Sequence, residues 1–249
     1  MSAAGHGRER SRDDGPFDFD GEYGQSYEAL AHTVIPGYET AFEQALAILR
    51  GRLGTAARIL VVGAGTGIEI VKFGARQPEW RFTGVDPSRQ MLDLARQRIE
   101  EAGLADVVRL VHGFTGDVET GEFDAVTCFN VMHFLEDEPR GGSAKQALLS
   151  QMAAKLRAGG SLVLFDLHGD PTGGVDAEMF GAWADLWALR GMDPDGAGRF
   201  RQRISEGIHW APEERIREML AAAGYRRVHL FFRSLLYGAW IGEKGAAAT

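Results

Sequence analysis

Arg58-Ile59-Leu60-Val61-Val62-Gly63-Ala64-Gly65-Thr66-Gly67 is the stretch whose reading decides the fold. Four apolar residues in succession, with no polar alternation, describe a strand covered on both faces, as strands of parallel sheets are. The run breaks into a glycine-rich turn, and a helix is expected over about 67–76, stopped before Pro78. A strand, a glycine turn and a helix in that order are the first half of a βαβ unit.

The pattern repeats outward. Trp80-Arg81-Phe82-Thr83-Gly84-Val85 reads as a second strand leading into Asp86, and Pro87-Ser88 opens a helix whose apolar positions are Met91, Leu92, Leu94, Ala95 and Ile99. A third strand is expected over 107–111 and a fourth over 123–129. A helix over 145–156, closed by Ala158-Gly159-Gly160, then precedes a fifth strand over 161–167. Beyond it the rhythm changes. A helix over 176–190 carries Phe180, Trp183, Leu186, Trp187 and Leu189, and another over 212–223 ends at Gly224. Strands over 228–232 and 235–241, joined at Arg233-Ser234, read as an antiparallel hairpin. Before the first strand, 23–50 reads as helix broken at Pro36-Gly37.

The expected fold is α/β: a Rossmann-like, seven-stranded, mostly parallel sheet with a C-terminal antiparallel hairpin, helices on both faces and a helical N-terminal lid. The expected organisation is a loose tail over 1–16, a lid over 17–54, the main domain over 55–242 with a helical insertion at about 174–210, and a short tail over 243–249.

Composition narrows the function. At 249 residues with 45% apolar content, the chain can bury a core without metal or disulfide, and its one cysteine, Cys128, lies in an apolar run where a buried, inert thiol is expected. A net charge of −8 argues against a broad basic face for nucleic acid, although arginines outnumber acids between Arg190 and Arg233. No apolar run approaches the roughly 18 residues that a membrane span needs, and the charged N-terminus lacks the apolar segment of a secretory signal. A cytoplasmic protein acting on a small molecule, with neither membrane nor nucleic acid as partner, is the expectation.

The glycines let backbone come close to a ligand, and the helix that follows presents free N–H groups. Asp86 lies about 20 residues further on, at the end of the next strand, where a carboxylate can take both ribose hydroxyls. Dinucleotide sites commonly read G-x-G-x-x-G. Here the spacing is G-x-G-x-G, Ile68 stands where the third glycine would fall, and the chain ends in a hairpin rather than a second βαβ half. Both features favour S-adenosylmethionine over a nicotinamide dinucleotide.

With these motifs the chain resembles the class I methyltransferases over roughly 55–242, carried by Ile59 to Gly67, Gly84-Val85-Asp86-Pro87-Ser88, Phe123-Asp124-Ala125-Val126 and Leu156-Arg157-Ala158-Gly159-Gly160. Within that superfamily it is most similar to the carboxy-S-adenosylmethionine synthase-like group. The cues are Val34-Ile35-Pro36-Gly37-Tyr38, the aromatic helix after the fifth strand, Arg199-Phe200-Arg201-Gln202-Arg203 and the closing hairpin. The resemblance implies S-adenosylmethionine as cofactor, S-adenosylhomocysteine as product and a homodimer. It also implies a cofactor site made of Tyr38, Gly63, Ala64, Gly65, Thr66, Gly67, Asp86, Pro87, Phe114, Thr115 and Phe129. In the synthase group an arginine at Arg201 would hold an extra carboxylate. Two departures weigh against a carboxylated cofactor here: Phe114 and Thr115 replace the usual acid after the third strand, and Phe129 replaces the usual asparagine, with Asn130 adjacent.

Methyl transfer needs alignment more than acid–base assistance, because the sulfonium leaves neutral, so sequence rarely marks the catalytic group. His133 and His168, after the fourth and fifth strands, are the candidate bases. Trp183 and Trp187 share one helix face, which suits core packing or a flat acceptor under a lid; the Tyr23 to Tyr38 segment, His209 and Trp210 would complete that lid. Arg201 or Arg203 would then pair with an acceptor carboxylate. Carboxy-S-adenosylmethionine synthesis from prephenate and a non-catalytic adenosyl-binding role are the alternatives to methyl transfer onto a small N, O or S nucleophile.

Overall fold

The strand that runs into the glycine turn lies inside the sheet, paired on both sides. The computed structural model describes residues 17–119, 122–137 and 143–245; the tail expected over 1–16 and residues 246–249 lie outside the described residues. The chain enters through helices α1 (Glu22–Val34) and α2 (Tyr38–Arg52), separated at Pro36-Gly37 as the sequence implied. Then follow β1 (Arg58–Val62), α3 (Ile68–Gly74), β2 (Arg81–Asp86), α4 (Arg89–Glu101), β3 (Val108–His112) and β4 (Phe123–Phe129). After α5 (Ala144–Lys155) and β5 (Leu156–Leu167) come α6 (Gly174–Leu189), α7 (Pro194–Gly207), α8 (Glu213–Ala222), β6 (Tyr225–Ser234) and β7 (Tyr237–Lys244).

The strands form one sheet in the order β3-β2-β1-β4-β5-β7-β6. The first five are mutually parallel, and β7 runs antiparallel to both β5 and β6. The connection reverses direction between β1 and its neighbour β4, which opens a crevice beyond their carboxyl ends. Alternate residues of the central strands serve different cores. Ile59, Val61, Val163 and Phe165 pack with α1, α2, α3 and α4, whereas Leu60, Val62, Leu162 and Leu164 pack with α5 and α8. Both faces are covered, which explains why β1 lacks polar alternation.

Three local expectations give way. The helix before β5 ends at Lys155, and Leu156 already pairs with Phe123; residues 157–160 bulge out before Ser161 pairs with Ala125. Gly159, with φ 72°, makes that excursion rather than closing the helix. The final turn falls at Leu235-Leu236 instead of Arg233-Ser234, since Ser234 pairs with Tyr237 and Leu235 takes φ 51°. Burial of Leu236 at 0% exposure outweighs the turn preference of serine. β7 also runs to Lys244, past the expected domain end. Within the insertion, Asp193 caps α7 through Gly196 N and Pro194 stands in its first turn, a start signal legible in sequence.

Among the described residues no helix is long and apolar enough to cross a membrane. Trp240, fully buried on β7, fits because Gly238 has no side chain: a Cβ there would come within 2.6 Å of the indole. Trp240→Ala is expected to cost about 3–5 kcal/mol in urea denaturation, the usual penalty for emptying so large a core position.

Candidate functional site

The turns after β1 and β2 are locked to each other by short hydrogen bonds. Gly63 N and Ala64 N donate to the Val85 carbonyl at 2.9 and 3.0 Å. Asp86 then joins the two turns with one carboxylate, accepting from Gly65 N at 2.8 Å and Ser88 N at 2.9 Å. Burial pushes the Asp86 carboxyl up from its ordinary value, and the Ser88 and Gly65 amides pull it back. Gly63 and Gly65 take φ 69° and 52°, and a Cβ on Gly63 would sit 2.2 Å from a Val131 methyl. Only glycine permits that approach.

A cavity of about 690 Å³ opens above these turns, within the range of small-molecule sites. Of the residues expected to hold a cofactor, Tyr38, Gly63, Ala64, Gly65, Thr66, Asp86, Pro87, Phe114, Thr115 and Phe129 all line it. Gly67 does not. Its φ of 75° starts α3, and a side chain there would press on Ala95 of α4 at 3.1 Å, so its role is helix packing. Phe129 stacks on Phe42 of α2 at 4.8 Å, and Phe114 stands 69% exposed on the rim.

The opposite wall comes from parts of the chain distant in sequence. Phe17 and Phe19 pack edge-on against Phe134, at 5.1 and 5.4 Å, and Phe19 against Tyr27. The N-terminal strap that carries them is pinned by Asp20, which accepts from Ser88 Oγ and Gln90 N. Asn130, at φ 58°, also reaches the cavity, as do residues of α5 and His209. The turn after β4 that presents Asn130 and Phe134 is held by fully buried Asp166. Its carboxylate accepts from the amides of Val131, Met132 and His133 and lies 2.6 Å from His133 Nδ1. Buried Lys145 adds a second tie by donating to the Met132 and His209 carbonyls, both at 2.7 Å; burial lowers its ammonium to about 8.

The other expected residues lie elsewhere. His133 does not line the large cavity; it borders a separate one of about 30 Å³ behind Phe134. His168 is 1% exposed with its ring edge-on to Trp240, and burial lowers its pKa. Trp183 and Trp187 are core residues, 1% and 0% exposed, so the packing reading of their spacing holds and the acceptor reading does not. Arg201 is exposed and lies over the Phe180 ring at 4.9 Å, Trp210 packs on the same ring, and Arg203 borders a surface hollow with Ser26 and Arg190. None of these five residues lines the cavity. The sequence reading passed over Glu69, Phe17, Phe19 and Tyr27. Glu69 stood two residues past the glycine turn, but a charged residue in a first helical turn ordinarily faces water.

No lysine or arginine lines the cavity among the described residues, whereas Glu69, Asp86 and Glu206 all do. A wall with three carboxyls and no fixed positive charge favours cationic or neutral ligands over anions. Asp86 can grip a diol, and the glycine turns leave room for an adenosyl group against backbone. The residues therefore fit S-adenosylmethionine.

Comparison with known proteins agrees with that fit. Residues 60–162 match a family described as a methyltransferase domain. Demethylmenaquinone methyltransferase of Deinococcus radiodurans is 26% identical over 239 residues, covering 89% of this chain and 93% of that protein. An uncharacterized protein of a Synechococcus strain is 35% identical over 137 residues, 52% of this chain; the match spans only 31% of that relative's length. Magnesium protoporphyrin IX methyltransferase from Synechocystis, solved with bound S-adenosylhomocysteine, superposes with a TM-score of 0.67 at 14% identity, covering 91% of this chain and 96% of that one. Residues 60–162 thus resemble a methyltransferase domain, and the α/β unit built on β1 to β7 shares its fold with solved S-adenosylmethionine-dependent methyltransferases.

Proposed function

We propose that the chain transfers the methyl group of S-adenosylmethionine to a small acceptor with an apolar, ring-bearing body, through an N, O or S nucleophile. One observation carries this reading: the cavity that begins at Gly63, Gly65 and Asp86 continues without a break to the aromatic wall of Phe17, Phe19, Tyr27 and Phe134. Asp86 would take the ribose hydroxyls, Phe114 and Thr115 would flank the base, and the backbone of residues 63–65 would follow the thioether. Holding an acceptor against the methyl in line supplies most of the rate, up to roughly 7–11 kcal/mol in well-aligned systems.

His209 is the group in this reading that accepts a proton from the nucleophile, since among the described lining residues it is the one imidazole. Its amide donates to the His133 carbonyl at 2.8 Å, so the Asp166–His133 pair positions it rather than acting as base. The relative named for demethylmenaquinone supports a small-molecule acceptor over a macromolecule. Prephenate is an anion and a carboxylated cofactor carries an added carboxylate, and both would meet carboxyls rather than a cation. Arg201, which that alternative requires, lies outside the cavity.

Asp86→Ala is expected to weaken S-adenosylhomocysteine binding by about 1–3 kcal/mol in titration calorimetry, from the loss of charge-assisted hydrogen bonds; unchanged affinity removes its ribose role. His209→Gln should lower kcat roughly a hundredfold or more while leaving cofactor affinity intact, and Arg201→Ala should leave kcat/KM unchanged. Mass spectrometry of the nucleoside that copurifies should show the methyl donor or its product. A carboxylated adduct, together with loss of activity in Arg201→Ala, would overturn the reading in favour of carboxy-S-adenosylmethionine synthesis.

A further inference from the structure

Glu69 is the second residue of α3, and its side chain turns inward to the cavity wall, 5% exposed, between the glycine turn and β4. The Thr127 hydroxyl, which donates to the Leu60 carbonyl, is near enough to the Glu69 carboxyl to pull its pKa down. The carboxyl oxygen Oε1 is buried without any hydrogen-bond partner. A buried polar atom in that state costs about 1–3 kcal/mol, and packing alone gives no reason to keep it.

Among the described residues, none offers Glu69 a cation. Lys72, one turn further along α3, is paired with Glu39 of α2 at 2.5 Å. Arg98 of α4 is committed to Thr66 and Glu28. The titratable groups that feel Glu69 are Tyr38 on α2 and Cys128 on β4, and burial raises the pKa of each, keeping both neutral. Burial likewise raises the Glu69 carboxyl, from 4.5 to about 8, so without a ligand it holds its proton at neutral pH.

We propose that Glu69 receives the α-ammonium of the cofactor's methionine end, its carboxyl releasing one proton to solvent as the cofactor binds. The inference rests on the S-adenosylmethionine reading of the cavity and adds a residue and a proton to it. The ammonium is the better partner of the cofactor's two cationic groups, because Oε1 is an acceptor that lacks a donor and a sulfonium offers no N–H. The bond that breaks is the Glu69 O–H, and the negative charge left behind is neutralised by the incoming ammonium. No other group changes protonation.

The test is titration calorimetry of S-adenosylhomocysteine at pH 7 in phosphate and in Tris, whose ionisation enthalpies differ. The wild-type chain should release close to one proton per ligand bound. Affinity should tighten about tenfold per pH unit between pH 6 and pH 7.5, since the proton must leave before the ion pair forms. Glu69→Gln should release none and bind S-adenosylhomocysteine at least tenfold more weakly. 5′-Methylthioadenosine, which lacks the amino-acid end, should bind both proteins alike with no proton released.

Thermal unfolding supplies a check that folding is intact. A carboxyl raised in the folded state contributes stability below its unfolded pKa and loses it as pH rises toward the folded value. The ligand-free Gln variant should therefore gain on wild type as pH goes from 5 to 8. If that variant fails to fold, the wild-type titrations decide: a proton released with S-adenosylhomocysteine and none with methylthioadenosine supports the inference. Binding of both ligands with no release, or with equal release, overturns it and leaves the cofactor reading standing. If neither ligand binds, the cofactor reading itself fails and this inference with it.

Discussion

One carboxylate sets the geometry of the cavity floor. Asp86 accepts from Gly65 N on one side and Ser88 N on the other, so the turns after β1 and β2 cannot separate without stripping a buried charge of its donors. Both turns inherit their positions from the register of β1 on β2, where Val62 stands beside Val85. Sheet register therefore fixes where backbone amides and the Asp86 carboxylate face each other. The glycines matter because the chain must pass there with φ positive and with Val131 already pressed against Gly63. Strain and charge are placed together where a ligand is to come closest.

The cavity has a polarity of its own, separate from that of the molecule. Arginines are plentiful between residues 190 and 233, yet they stay on the outside: Arg190 donates to the carbonyls of His32, Thr33 and Ile35, Arg215 pairs with Asp137, and Arg201 lies over Phe180. Inside, the wall carries carboxyls and aromatic rings. In a medium of low dielectric an unmatched sign of charge selects ligands strongly, and here the selection favours the cationic donor.

The floor was legible in the sequence and the roof was not. Ile59 to Gly67 and Val85-Asp86 declare themselves because a parallel strand is apolar without alternation and because glycine and aspartate at strand ends have few other purposes. Phe17, Phe19, Phe134 and Glu69 come together only through tertiary structure. The strap before α1 is placed by Asp20 reaching Ser88, some seventy residues away, and no local period records such a contact. The aromatic helix was ambiguous for a related reason. Trp183 and Trp187 have the spacing of a recognition face, but that same spacing makes a buried face, and the bonding of Trp183 Nε1 to the Val34 carbonyl settles which face it is. The turn at Leu235-Leu236 was hidden because burial of Leu236 overrides turn propensity. The excursion at 157–160 was hidden because a glycine pair marks a bulge and a helix end alike.

That indole bond also explains why the roof is fixed. α1 supplies Tyr27 to the cavity, and its C-terminal end is tied to the insertion by Trp183 and by the three carbonyls that Arg190 gathers. Trp187 and Phe200 pack edge-on behind them at 4.9 Å, so α6, α7 and the end of α1 move as one block. Among its described residues Glu206, Gly207 and His209 line the cavity, and the rest of the insertion shapes that space from behind. Its aromatic residues hold the lid, and the lid's own rings face the ligand. Phe17, Phe19 and Phe134 line the cavity apart from that packed core, whereas Trp183 ties the insertion to the end of α1 and so supports the wall that Tyr27 belongs to.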